Sequence, residues 1–174
     1  MENIIETLNS IARVRGYTDV VEDEDTSKIE FCDAQGTRKL VVLFATGDVG
    51  KPDVNPFLAT LEEVQATEGI LVVPKKITTG AVKEIKRHPI PTQIFLHSEL
   101  VFDILTHDDC PRYEVVPAEE HAAIFEAFAP AEKLPRLKRD DPVARYMGLQ
   151  KDAVVKVTFP SSIVVSSVFY QIVV

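Results

Sequence analysis

The pieces of this sequence that come nearest to chemistry are Pro52-Asp53 and, farther on, Glu84-Ile85-Lys86. In that order the two carboxylates and the lysine match the PD and ExK fragments of metal-dependent nucleases, where they hold a divalent cation and activate water. The triplet works only on a strand, whose alternation turns its first and third side chains to one face. Here it falls in a segment of helical pattern that runs through Val82 and Ile85 and stops before Pro89, so the match fails where the chemistry needs it. A degenerate nuclease-like enzyme is kept as the weakest alternative, and metal-dependent cleavage lost on Asp53→Ala would revive it. His88, His97, His107 and His121 lack the spacings of zinc sites. Ser161-Ser162 and Ser166-Ser167 have no nucleophile-elbow context, and the scattered glycines form no phosphate cradle. The expectation is no catalytic residue, no metal ligand and no cofactor.

Two clusters of positive charge interrupt an acidic chain. Lys75, Lys76, Lys83, Lys86 and Arg87 accompany a single acid, Glu84, and read either as a solvated helix face or as a contact for phosphates. Arg136, Lys138, Arg139 and Arg145 interleave with Asp140 and Asp141, where mutual pairing is the economical expectation. The formal net charge of −8 over 174 residues is opposite to that of a free-standing nucleic-acid binder. Cys32 and Cys110 are far apart without CxxC spacing and are expected to be reduced thiols. No stretch has the length of a membrane span, and MENIIETLNS lacks the basic-then-apolar order of a signal peptide.

These residues need elements to position them. Asn3 to Val14 carries an apolar stripe at helical spacing, ending near Arg15-Gly16. Glu22 to Asp25 reads as a solvated acidic loop. Ile29 to Ala34 and Lys39 to Ala45 flank the Gln35-Gly36 turn signal as a hairpin. From Leu40 the pattern becomes β-α-β-α-β: a helix capped by Asn55 and opened by Pro56, the strand Ile70 to Val73, a helix capped by Thr78 or Thr79, and the strand Thr92 to Leu96. Unbroken apolar strands alternating with helices predict a sheet buried on both faces. A helix from Ser98 to Leu105 leads out.

In the second half His107 to Pro111 reads as a connection, and Pro117 starts a helix with Ile124, Phe125 and Phe128 inward, closed by Pro130. The stretch LPRLKRDDPVARYMGLQKDAVVKV, Leu134 to Val157, organises the remainder. Asp141 caps a short helix, Pro142 fits its first position and Gly148 supplies the left-handed stop. So short a helix must dock Leu134, Leu137, Val143, Met147 and Leu149 on something. The strands Ala153 to Phe159 and Ser166 to Val174 follow.

LPRL, DPVARYMGL and VVKV at this spacing resemble the assembly domain of the fifth subunit shared by eukaryotic nuclear RNA polymerases, whose archaeal relatives consist of that domain alone. RGY at Arg15, KLVVLF, ILVVP and HSELVFDILTHD extend the resemblance over nearly the whole chain. It implies a two-domain subunit: an α/β jaw with a nuclease-like layered sheet over residues 1–106, and a small α+β assembly domain over 107–174. It also implies a noncatalytic role in a nuclear DNA-dependent RNA polymerase, with the largest subunit and its neighbours as partners and no membrane or small-molecule substrate. Docking falls by resemblance on Leu134, Pro135, Arg136, Asp141, Pro142, Arg145 and Tyr146. The basic group Lys75, Lys76, Lys83, Lys86 and Arg87 is implied to lie near downstream DNA, although Thr78-Thr79-Gly80 stands where relatives carry Thr-Pro-Ser. Phe159 to Val165 departs from the family's usual segment, which suggests a divergent paralogue. A free protein-interaction adaptor derived from this subunit is the second reading.

No charge follows Lys156, so a last strand left on an open edge would aggregate. Both of its alternating faces are apolar. The expectation is that one packs on the domain core and that the other, or the loop Ile163, Val164 and Val165, is covered by the largest subunit.

Overall fold

The computed structural model describes residues 2–23, 28–107, 110–128, 133–159 and 167–174. The chain divides into two compact units, Met1–Phe102 and Asp103–Val174.

The first unit is a five-stranded mixed sheet in the order β1-β2-β3-β4-β5. Helix α1 (Glu2–Val14) precedes a meander of β1 (Asp19–Asp23), β2 (Lys28–Cys32) and β3 (Lys39–Phe44), paired antiparallel. Parallel strands β4 (Glu68–Val73) and β5 (Thr92–Leu96) join through α2 (Lys51–Glu63) and α3 (Thr79–Arg87). Alternation divides the sheet between two cores. Val41, Leu71 and Val73 pack with Val54, Phe57 and Leu61 of α2 and with Ala81 and Ile85 of α3. Leu40, Val42, Ile70 and Val72, equally buried, point to the opposite face. That face also carries Glu68 and Gln93, which bond Arg15 at the end of α1. The amphipathic stripe Ile4, Leu8, Ile11 and Ala12 is buried. The sheet therefore has helices on both faces.

Three local readings are corrected. Glu22 and Asp23 belong to edge strand β1 rather than to an acidic loop, because pairing with β2 satisfies their backbone; Glu24 and Asp25 lie outside the described residues. Helix α2 starts a turn before Asn55: the Asp53 carboxylate accepts from Gly50 N at 2.8 Å, and Pro52 sits in the first turn. Pro56 is then inside the helix, where its missing N–H forfeits one bond. Third, the helix after β5 is only α4 (His97–Leu100). The Asp103 carboxylate accepts from Leu105 N, an Asx turn that competes with helical bonding.

Asp33 closes the β2–β3 turn. Its Oδ1 accepts from Thr37 N at 2.7 Å and Arg38 N at 3.0 Å, and its Oδ2 from Thr37 Oγ1 at 2.8 Å. These bonds, led by the one from Arg38 N, hold the carboxyl below its ordinary 3.8. A depressed folded value means that the contribution is present above the unfolded pKa and is lost as pH falls through the folded one. The Thr37 and Arg38 amide proton shifts are accordingly expected to titrate together with a midpoint below 3.8, and to stay flat in Asp33→Asn. A midpoint at or above the ordinary value would contradict the turn assignment.

The second unit is a four-stranded sheet in the order β6-β8-β9-β7. Its strands are β6 (Arg112–Val115), β7 (Arg136–Leu137), β8 (Val154–Phe159) and β9 (Ser167–Val173). The sequence pattern alone does not disclose β6 or β7. Helix α5 (His121–Ala127) follows a 3₁₀ turn, Ala118–Glu120, so Pro117 precedes the turn rather than opening the α-helix itself. Ile124 is buried, but Phe128 is 61% exposed and rests one ring against Tyr170, which corrects its inward placement. Pro130 lies outside the described residues.

Both faces of this sheet bear a core. Leu137, Ala144, Leu149, Val155, Val157 and Val173 form one; Val116, Ile124 and Val154, with Phe125 and Tyr170 against them, form the other. The chain's own α5 thus covers part of the second face of β9, and a partner is not needed for all of it. Ile163, Val164 and Val165 lie outside the described residues.

Candidate assembly surface and basic face

Helix α6 (Pro142–Tyr146) is held by its ends rather than by its length. The Asp141 carboxylate accepts from Val143 N at 2.9 Å. At the other end Gly148, at φ 67°, donates to Arg145 O, and Leu149 N donates to Ala144 O at 2.9 Å. A β-carbon at that φ would be strained, hence the glycine. Ala144, Tyr146 and Leu149 turn inward; Val143 and Met147 are half-buried. Leu134 and Leu137 are also buried, and Pro135 O accepts from Ile172 N at 2.9 Å.

The family-implied docking residues therefore separate into two groups. Leu134 and Tyr146 are interior side chains, at 5% and 3% exposure, and Asp141 is committed to its cap. Pro135, Arg136 and Pro142 are exposed, and Arg145 is half-buried. Among the described residues Arg136, Lys138 and Arg139 make no ion pair with Asp140 or Asp141. The Asp141 carboxylate accepts from the Val143 backbone N–H.

On the first unit, Thr78 Oγ1 accepts from Ala81 N at 3.3 Å, which identifies the cap of α3. Lys75 and Lys76 lie in the loop before it and Lys83, Lys86 and Arg87 on its outer side, all five exposed. The one acid among them, Glu84, is engaged by Lys51 Nζ at 3.2 Å. The five cations have no carboxylate partner among the described residues.

The nuclease fragments are not assembled. The Asp53 carboxylate caps α2, and Glu84 and Lys86 are two apart on a helix, where side chains do not share a face. Among the described residues no three His, Cys, Asp or Glu side chains are grouped to hold a metal ion. His88 sits 3.2 Å from Glu62 Oε1, and His121 Nε2 is 3.1 Å from Val116 O. Burial, with Asp103 nearby, raises the Cys110 pKa, which keeps the thiol protonated and a poor nucleophile. Burial likewise raises the Tyr113 phenol.

Sequence reasoning misses the polar centre of the first unit. Arg15 Nη1 donates to Glu68 Oε2 at 3.0 Å and Nη2 to Gln93 Oε1. Arg38 stacks 4.9 Å over the ring of Tyr17, whose phenol burial drives upward in pKa. The RGY triplet at Arg15 is the available signal, but nothing local names Glu68 or Gln93 as its partners.

Comparison with known proteins places these features. The family model for the RNA polymerase Rpb5 C-terminal domain matches residues 102–173, nearly the whole of the second unit. Over 141 residues the chain is 30% identical to DNA-directed RNA polymerase V subunit 5A of Arabidopsis thaliana, covering 79% of this chain and 64% of that protein. It is 28% identical over 199 aligned positions to subunit RPABC1 of RNA polymerases I, II and III of Caenorhabditis elegans, covering 98% and 94%. A third relative, subunit rpabc1 of the same three polymerases in Dictyostelium discoideum, is 30% identical with 72% and 66% covered. The chain thus spans slightly less than two thirds of the plant and amoebal relatives and nearly all of the nematode one. With the short capped helix, the buried Leu134 and Leu137 and the strands that follow all inside the matched region, the second unit matches the Rpb5 C-terminal domain and the chain is a divergent Rpb5-like protein.

Proposed function

We propose that this protein is a noncatalytic subunit of a nuclear DNA-dependent RNA polymerase. The observation that carries the reading is the family match over residues 102–173, which takes in the α6 motif with its exposed Pro135, Arg136 and Pro142 and half-buried Arg145. In this reading the second unit is an assembly domain seated on the largest subunit, with those side chains at the contact and Leu134 and Tyr146 holding them in place. The first unit is the jaw, a nuclease-like layering of helices and sheet used for positioning, and its exposed cations Lys75, Lys76, Lys83, Lys86 and Arg87 face downstream DNA.

Affinity purification of the tagged chain from its own cells is the direct test. A stoichiometric largest polymerase subunit supports the reading, and its absence supports a free adaptor. Arg145→Ala is expected to leave the free protein folded and to weaken incorporation by about 2 kcal/mol, the typical loss for a charge-assisted contact at a desolvated interface. Normal incorporation at limiting concentration would make Arg145 an intradomain residue. Replacing the five cations of the α3 face together should reduce the enzyme's hold on downstream DNA more at low than at high salt, because phosphate contacts release counterions. An unchanged salt slope would return that face to solvent.

A further inference from the structure

The basic face of the first unit has a further cation, supplied by another helix. Lys51 opens α2, and its ammonium lies 3.2 Å from the Glu84 carboxylate of α3. Stability does not account for a lysine at this position. It stands in the first turn, at the positive end of the helix dipole, where a cation opposes the partial charge of the free N–H groups. Its side chain is 64% exposed, and an ion pair so accessible to water contributes little. Glu84 stands out equally, as the one acid in the basic run from Lys75 to Arg87. The buried Ala81 and Ile85 fix the inward side of α3. Lys83 and Arg87, four residues apart, then form its outer ridge, and Glu84 occupies the flank beside Arg87, its neighbour three residues on. The Lys51 ammonium held by Glu84 therefore adjoins that ridge.

We propose that Glu84 limits how strongly this face holds a phosphate backbone, by keeping Lys51 neutralised, and that Lys51 becomes a sixth phosphate contact once the Glu84 charge is removed. This rests on the reading, given above, that the face meets downstream DNA, and adds the residue that sets the strength of the contact. A carboxylate at that place acts twice. It occupies an ammonium that would otherwise pair with a phosphate, and it repels the backbone that the neighbouring cations attract. The chain as a whole carries a formal charge of −8, so attraction to DNA is confined to this local cluster, where one carboxylate is a large fraction of the charge.

The test is the salt dependence of DNA retention by the assembled polymerase carrying variant subunits, with a downstream duplex as the probe. Each phosphate contact contributes about −0.9 to the slope of log affinity against log salt. Glu84→Gln keeps the size of the side chain and removes its charge, and because the pair is exposed the variant is expected to fold as the unaltered chain does. It should steepen the slope by about 0.9, an additional loss of about 3.5-fold in affinity for a fourfold rise in salt. Lys51→Ala added to Glu84→Gln should return the slope to its original value. Steepening that survives the added Lys51→Ala would assign the effect to the lost negative charge alone and overturn Lys51 as a contact. An unchanged slope in Glu84→Gln, together with a slope lowered by joint replacement of the five cations, would overturn this proposal and leave the DNA reading standing. An unchanged slope in both would overturn the DNA reading and the proposal with it.

Discussion

Arg15→Ala is expected to destabilise the first unit by about 3 kcal/mol, the loss typical of removing one member of a buried ion pair. The Arg15 side chain is 3% exposed and that of Glu68 23%, and the guanidinium fork is shared between the Glu68 carboxylate and the Gln93 amide. Truncation leaves a carboxylate and an amide oxygen without their donor in a site that water reaches poorly. It also unties the end of α1 from β4 and β5, the strands that carry those two partners. Arg15→Lys keeps the charge but cannot present a planar fork to two acceptors, and should lose about 1.5 kcal/mol, one charge-assisted bond. The measurement is the denaturant midpoint read on amides of β4 and β5, since two units need not unfold together. A loss below about 1 kcal/mol for the alanine variant would mean that the pair contributes little against its own desolvation.

The second large effect concerns a contact between α2 and the sheet. Gly69 lies in β4, and a β-carbon there would come 2.8 Å from Leu61 Cδ1 and 2.9 Å from Thr92 Oγ1. Leu61 is itself fully buried in the core beneath α2. Leu61→Ala should therefore lose about 3 kcal/mol through transfer and cavity, and Gly69→Ala about 2 kcal/mol through overpacking. The two are not additive. With Leu61 already truncated, the added methyl of Gly69→Ala enters space that the leucine vacated, and the double variant should be no less stable than Leu61→Ala alone. A coupling energy near zero in the double-mutant cycle would show that Thr92, not Leu61, sets the limit at Gly69.

Local rules were enough wherever a signal is carried by residues adjacent in sequence. Asp141, Pro142 and Gly148 marked the ends of α6 to within a residue, because capping and left-handed stops involve only neighbouring backbone groups. Unbroken apolar runs at KLVVLF and ILVV announced strands covered on both sides. DPVARYMGL carried the family. The same local reasoning failed at Asn55, where a good capping residue was outcompeted by the Gly50–Asp53 pair one turn earlier. It failed at Ser98 to Leu105, where the Asp103 side chain offered the backbone a turn in place of helix.

What only the tertiary structure decided are relations between residues far apart in the chain. Arg15 with Glu68 and Gln93, the short strand β7 beside β9, and the second core beneath α5 all depend on register and crossover. A sequence pattern of period two or 3.6 states which face a side chain occupies, not which distant element arrives to meet it. Tyr146 shows the limit from the other side. An aromatic in a matched motif suits a partner surface and an interior equally well, and the packing around α6 turned it inward because the helix is too short to stand without a buried anchor.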